Sequence, residues 1–153
     1  MKYKLIGKND KENLIEQVLL NRGIENPEKY LSLDSSCIND YDNLDNIEEA
    51  IDCFNKHFEN GDIISILVDS DPDGFSSAAM LYNYIKMLDE DYPVRYILHN
   101  NNKAHGLAKM AEGDFCIPYN TKLFIVPDAG TNDSEQFNKL INNGIDCIIL
   151  DHH

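Results

Sequence analysis

Asp69, Asp71 and Asp73 alternate along Val68-Asp69-Ser70-Asp71-Pro72-Asp73-Gly74, and two further acidic positions stand far downstream, Asp128 and the Asp151 of Asp151-His152-His153. Carboxylates crowded into so few residues repel one another, and a bound cation is the simplest compensation. Carboxylate-rich sets with one or two imidazoles suit Mn²⁺ or Mg²⁺ better than structural zinc, which favours cysteine and histidine. Shared carboxylates also permit two ions. Such a pair, about 3.5 to 4 Å apart, clamps a phosphate, generates hydroxide near neutral pH and offsets charge on the leaving oxygen of an in-line displacement. The expected chemistry is phosphoester hydrolysis.

For these residues to act together, the chain must carry them to one place. From Asp62 onward, short apolar runs alternate with helical segments, the sequence form of βαβ units and a parallel sheet. Ile63 to Val68 reads as a strand buried on both faces, followed by a helix over Phe75 to Leu88 with Ala78, Ala79, Leu81, Tyr82 and Ile85 inward. Val94 to Leu98, Lys122 to Val126 and Ile145 to Leu150 are the next strands. Asp133-Ser134-Glu135-Gln136 caps a helix that Asn143-Gly144 ends. The aspartates then follow the carboxyl ends of three strands, where open parallel sheets bind their ligands.

The region before Asp62 reads as helices. Leu14, Ile15, Val18 and Leu19 fall at helical spacing within Lys11 to Arg22, and Gly23 suits a C-cap. Asn26-Pro27-Glu28 opens a second helix, Asp34 to Asp45 is a polar loop, and Asp45 to Asn60 is a packing helix with Phe54 and Phe58 on its apolar face. The expected organisation is an α/β protein, with an N-terminal helical segment over 1–61 and the parallel sheet with flanking helices over 62–153.

Composition narrows the function. A formal net charge of −14 over 153 residues counts against a nucleic-acid binder that works through a broad basic surface. No stretch of eighteen apolar residues occurs, and the charged N-terminus is unlike a secretion signal, so a cytoplasmic protein without membrane contact is expected. Cys37, Cys53, Cys116 and Cys147 lack paired spacing and read as buried thiols with no functional role.

Each motif also has an ordinary reading. Asp-x-Asp-x-Asp-Gly resembles the opening of a calcium-binding EF-hand loop, but the twelfth position from Asp69 is Met80 rather than glutamate, and a strand precedes it. Asp128-Ala129-Gly130 alone reads equally as a turn, and a lone histidine is more often structural than ligating. The joint placement carries the weight.

At these residues the chain resembles the DHH phosphoesterase superfamily: Asp69 to Gly74 matches its first motif, Asp128 its second and Asp151-His152-His153 its third. Small-substrate members of that superfamily carry a histidine four residues before the aspartate pair, where this chain has Leu67. The triple-aspartate form resembles the RecJ branch, single-strand-specific exonucleases that act from the 5′ end. Leu19 to Ile24, Phe75 to Ala79 and Gly144-Ile145-Asp146 fit that branch as well.

The resemblance implies that Asp71, Asp73, Asp128 and His152 ligate two Mn²⁺ or Mg²⁺ ions, with Asp128 bridging and Asp69 completing the first shell. It further implies that Asp151 orients ligands, and that His153 binds metal or polarises the scissile phosphate. His153, Asp128 and Asp151 are thus the expected catalytic residues. His105, in His105-Gly106-Leu107, is expected on the substrate side, although a surface histidine is an equal reading for it and for His99 beside Asn100. Ser76 and Ser77 fall at the expected helix start, where they would contact phosphate or cap the helix.

The family continues past the third motif with a further aspartate ligand and a substrate-binding domain, so 62–153 reads as a partial DHH domain and the chain as an N-terminal fragment, weakly active or inactive alone. Single-stranded nucleic acid, and single-strand-binding or other repair and replication proteins, are the expected partners of the complete protein. The leading expectation is a RecJ-like 5′-to-3′ single-stranded DNA exonuclease. A dinucleotide or short-oligonucleotide phosphodiesterase, and a non-catalytic RecJ-like binding module, are the alternatives.

Overall fold

The structure, a computed structural model, describes residues 12–32, 34, 35, 38, 40–100, 104–108, 113 and 116–152, so the catalytic role expected of His153 and the buried thiol expected at Cys37 lie outside the described residues. The chain forms two compact units, Met1–Ile47 and Glu48–His153. In the first, α1 (Leu14–Asn21) and α2 (Pro27–Ser32) are followed by a 3-10 turn, Tyr41–Asn43, inside the stretch expected to be loop. Gly23 closes α1 at φ 84°, its N–H donating to the Leu20 carbonyl while that of Ile24 reaches Leu19. This is the left-handed helix end that glycine favours.

The second unit is a four-stranded, all-parallel sheet in the order β2-β1-β3-β4, built from β1 (Ile63–Val68), β2 (Val94–Leu98), β3 (Thr121–Pro127) and β4 (Asp146–Leu150). The helices are α3 (Ile47–Glu59), α4 (Pro72–Leu88) and α5 (Ser134–Asn142). Successive strand side chains point to opposite faces. Ile64, Ile66, Val68, Leu123, Ile125 and Ile148 therefore meet Ala78 and Ile85 of α4 on one face, where Ala50, Cys53, Phe54 and Phe58 of α3 also pack. Leu67, Phe124 and Val126 meet Leu107 and the α5 residues Phe137 and Leu140 on the other. Burial of a residue as large as Phe124, fully enclosed, contributes about 1.5–3 kcal/mol. A polar pair deep between β1 and β3 is satisfied, with the Ser65 and Thr121 hydroxyls 2.8 Å apart.

Helix α4 begins three residues earlier than the apolar periodicity suggests, because Asp71 is its N-cap, accepting the Gly74 N–H at 3.0 Å, and Pro72 occupies the first turn. Of the residues expected inward on this helix, Ala78 and Ile85 are buried and Leu81 and Tyr82 partly so, whereas Ala79 is exposed, on the side of the helix turned away from the core. No described helix is long and apolar enough to cross a membrane.

Because β1 sits between β2 and β3, the chain leaves β1 toward one edge of the sheet and returns across it to the other. The crevice that this reversal opens at the carboxyl ends of β1 and β3 is where ligands bind in open α/β sheets. Asp69 follows β1 and Asp128 follows β3, on either side of it.

Candidate metal centre

Asp69 leaves the end of β1 almost wholly buried, 2% exposed. Its Oδ1 accepts the Gly106 N–H at 2.9 Å, and its Oδ2 lies 2.6 Å from His105 Nδ1. His99, which follows β2, places Nε2 3.9 Å from Asp69 Oδ1 with its side chain buried, so it is not the surface histidine that its sequence context allows. Asp71, the α4 N-cap, lies 3.9 Å from His105 Nδ1 through Oδ2. Asp69, Asp71 and His105 offer donor atoms all within 4.8 Å of one another.

A second triad shares the crevice. Asp73, Asp128 and His152 likewise offer donors within 4.8 Å of one another, with His152 Nε2 3.1 Å from Asp128 Oδ1. Asp128 is 7% exposed and adopts φ 74°, a left-handed conformation that aspartate tolerates better than most residues but still at a cost of about 1 kcal/mol. Its backbone is held by an N–H bond of 2.6 Å to the Leu150 carbonyl of β4. The turn after β3 is thus tied to the strand that leads into Asp151 and His152.

Asp151 serves that turn. Its Oδ2 accepts the Thr131 N–H at 2.9 Å and its Oδ1 accepts the His152 N–H at 2.7 Å, fixing the third motif against the loop after Asp128. Asp69, Asp71, Asp128 and Asp151, with His105 and Thr131, line a cavity of about 430 Å³. Five carboxylates and two imidazoles converge here, the donor set that hard, oxygen-preferring divalent ions require. Six of these groups fall into two triads, each with donor atoms close enough to hold a divalent ion.

Ser76 stands apart from this arrangement, since its hydroxyl donates to the Pro72 carbonyl within α4 at 2.6 Å, and Ser77 does the same to Gly74 at 3.1 Å. With the helix starting at Pro72, neither serine occupies its first positions. His105, expected on the substrate side, lies beside Asp69 and Asp71, with donor atoms of all three within 4.8 Å of one another.

Two further residues support the site through packing and hydrogen bonding. Gly74 has no room for a side chain: a Cβ there would lie 2.6 Å from Asp69 Cβ and 2.9 Å from its carbonyl oxygen, so glycine is what lets α4 pack on the end of β1. Asp133 makes no side-chain cap to α5, contrary to its place in the sequence. Its Oδ2 accepts the Leu107 N–H at 2.6 Å, which pins the His105 loop to the start of α5. The Asp133 role depends on the meeting of segments 26 residues apart.

Comparison with known proteins bears on the family and the fold. Residues 63–153, more than half of the chain, match the model of the DHH family, N-terminal domain. The whole chain is 36% identical over 154 residues to YorK of Bacillus subtilis (strain 168), an SPbeta prophage-derived protein described as a single-strand DNA-specific exonuclease, and equally to its counterpart in Bacillus phage SPbeta. It spans 26% of the length of each. Among solved structures, RecJ of Thermus thermophilus in complex with Mn²⁺ superposes with a TM-score of 0.60 at 21% identity, over 88% of this chain and 18% of that one. An exonuclease RecJ bound to manganese gives 0.54 at 23% identity, over 72% and 28%. The parallel sheet, the acidic crevice at its carboxyl edge and the match over 63–153 together make this chain a member of the DHH family, with the fold of RecJ.

Proposed function

We propose that this chain carries a metal-binding portion of a RecJ-like nuclease, which removes nucleotides from the 5′ end of single-stranded DNA with the help of two Mn²⁺ or Mg²⁺ ions. The observation that carries the reading is the pair of donor triads, Asp69/Asp71/His105 and Asp73/Asp128/His152, on the two sides of one crevice. When bound, such an ion pair supplies Lewis-acid stabilisation of a phosphoryl group and lowers the pKa of coordinated water.

The chain's own residues prepare that site. Asp69 and Asp128, both buried, present carboxylates whose positions the backbone N–H of Gly106 and the β4 carbonyl of Leu150 restrict. Asp151 aligns His152 by tying its main chain to the Thr131 turn that follows β3. Preorganised donors of this kind lose little on taking up the ions. The formal net charge of −14 means that attraction to a nucleic-acid backbone comes from the bound cations and from other parts of a protein several times longer, as the relatives are.

Leu67 supports the exonuclease over the small-substrate alternative. It is fully buried in the core beneath the crevice, so the histidine that small-substrate members place there has no counterpart at this position. The binding-module alternative is disfavoured because Asp69, Asp71, Asp73, Asp128 and His152 are all present and gathered.

The test uses the complete gene product with Mn²⁺ and two substrates, a 5′-phosphorylated single-stranded DNA oligomer and a dinucleotide. Release of mononucleotides from the 5′ end of the oligomer, with the dinucleotide spared, is expected, and Asp128→Ala should abolish it while the protein stays folded. Cleavage of the dinucleotide alone, or full activity of Asp128→Ala, would overturn the reading.

A further inference from the structure

At the opposite edge of the sheet from the acidic crevice, near the amino ends of the strands, a second group of donors converges. Cys53 and His57 lie four residues apart on α3, hence on one helix face, and Asp146 opens β4. A sulfur, a ring nitrogen and a carboxylate oxygen from these three residues all lie within 4.8 Å of one another. We propose that Cys53, His57 and Asp146 form a binding site for a thiophilic divalent cation of the Zn²⁺ class, separate from the centre that serves catalysis.

The setting of His57 is the main support. The residue is 5% exposed, and its Nδ1 lies 2.8 Å from Asp62 Oδ2. A metal-binding imidazole characteristically has its second nitrogen held by a carboxylate, which fixes the ring and strengthens the ligating nitrogen. Asp62 is placed for that task, leaving Nε2 aimed at Asp146 Oδ2, 2.9 Å away. The Lys56 ammonium, 2.9 Å from the same oxygen, shows that this carboxylate already attracts positive charge.

Entry of the ion would displace the Cys53 thiol proton, and any proton shared between Nε2 and Asp146, to solvent and would release Lys56. The neighbouring cavity, about 430 Å³ and lined by Asp52, Cys53, Lys56, Ile141, Asp146 and Cys147, leaves space for water as a fourth ligand and for the ion's approach. The donor set differs in kind from the crevice. A thiolate with an imidazole and one carboxylate selects zinc-like ions, whereas the crevice offers carboxylates and imidazoles suited to manganese or magnesium.

This difference provides a readout independent of activity. The 153-residue chain, kept reduced, is titrated with Co²⁺ alone while its near-ultraviolet absorption is recorded, because only a thiolate ligand produces sulfur-to-cobalt charge transfer. A saturable band is expected, abolished by Cys53→Ser, preserved in Cys147→Ser and Asp128→Ala, and bleached by Zn²⁺. Asp146→Asn, which leaves the sulfur in place, should weaken Co²⁺ binding at this band by about tenfold or more. Absence of the band at saturating Co²⁺, or its survival in a folded Cys53→Ser chain, would overturn the proposal.

Discussion

His105 Nδ1 and Asp69 Oδ2 stand 2.6 Å apart, joining a loop after β2 to the end of β1, while the other oxygen of the same carboxylate accepts the N–H of Gly106. One buried side chain thus positions both a histidine and the backbone beside it. If His105 belongs to the donor set, His105→Ala should weaken Mn²⁺ binding by about 10- to 100-fold, the usual loss when a ligand or its supporting partner is removed. Calorimetric titration checks this, and unchanged affinity would return His105 to the substrate side.

Asp128 trades stability for its position. Asn tolerates φ 74° about as well as Asp but carries no charge to repel the neighbouring carboxylates. In the presence of a chelator, Asp128→Asn should therefore melt at or above the parent temperature, whereas Asp128→Ala should be destabilised by about 1 kcal/mol. Both should lose the rise in melting temperature that Mn²⁺ gives the parent chain, as scanning calorimetry with and without the ion would show.

Gly74→Ala tests the packing of α4 on β1. The added methyl would meet the Cβ and carbonyl of Asp69, a buried side chain and backbone atoms with little room to retreat. A loss of about 1–3 kcal/mol in urea unfolding is expected, with weakened metal binding because Asp69 must move.

Asp133 is expected to act through Leu107. Asp133→Ala leaves the Leu107 N–H without its acceptor and should cost about 1–3 kcal/mol, while Asp133→Asn, which retains an acceptor oxygen, should recover most of the loss. Hydrogen exchange at the Leu107 amide reports the bond directly: fast in the alanine variant, slow in the asparagine one.

Tyr92 sets an alkaline limit on stability. Burial pushes its hydroxyl up to about 12, and the hydroxyl lies within donating distance of the carbonyls of His57 and Asp62, at 3.0 and 2.8 Å. A group raised in the folded state contributes fully below its unfolded pKa, about 10, and loses that contribution as pH climbs from there toward 12. Tyr92→Phe should be less stable by about 1–2 kcal/mol at neutral pH, and the gap should close over that alkaline window in urea titrations at stepped pH.

The local grammar of the chain was legible without coordinates. The four strands, the helix ends at Gly23 and Asn143-Gly144, and the placement of Asp69 and Asp128 just past apolar runs all follow from interactions between near neighbours: alternation, capping and the freedom of glycine. A parallel sheet then requires that residues following its strands gather at one edge, so the crevice was expected as well. Other features depended on which loops meet. The β2-β1-β3-β4 order, with the crevice opening at its reversal, is a matter of packing between distant segments. It set His105 against Asp69, turned Asp133 from a cap into an anchor for Leu107, and enclosed His57 between Asp62 and Asp146. All of these contacts but His57–Asp62 join residues far apart in the sequence. No periodicity records such distances, because the free energy that selects them comes from burying the sheet's two faces as a whole.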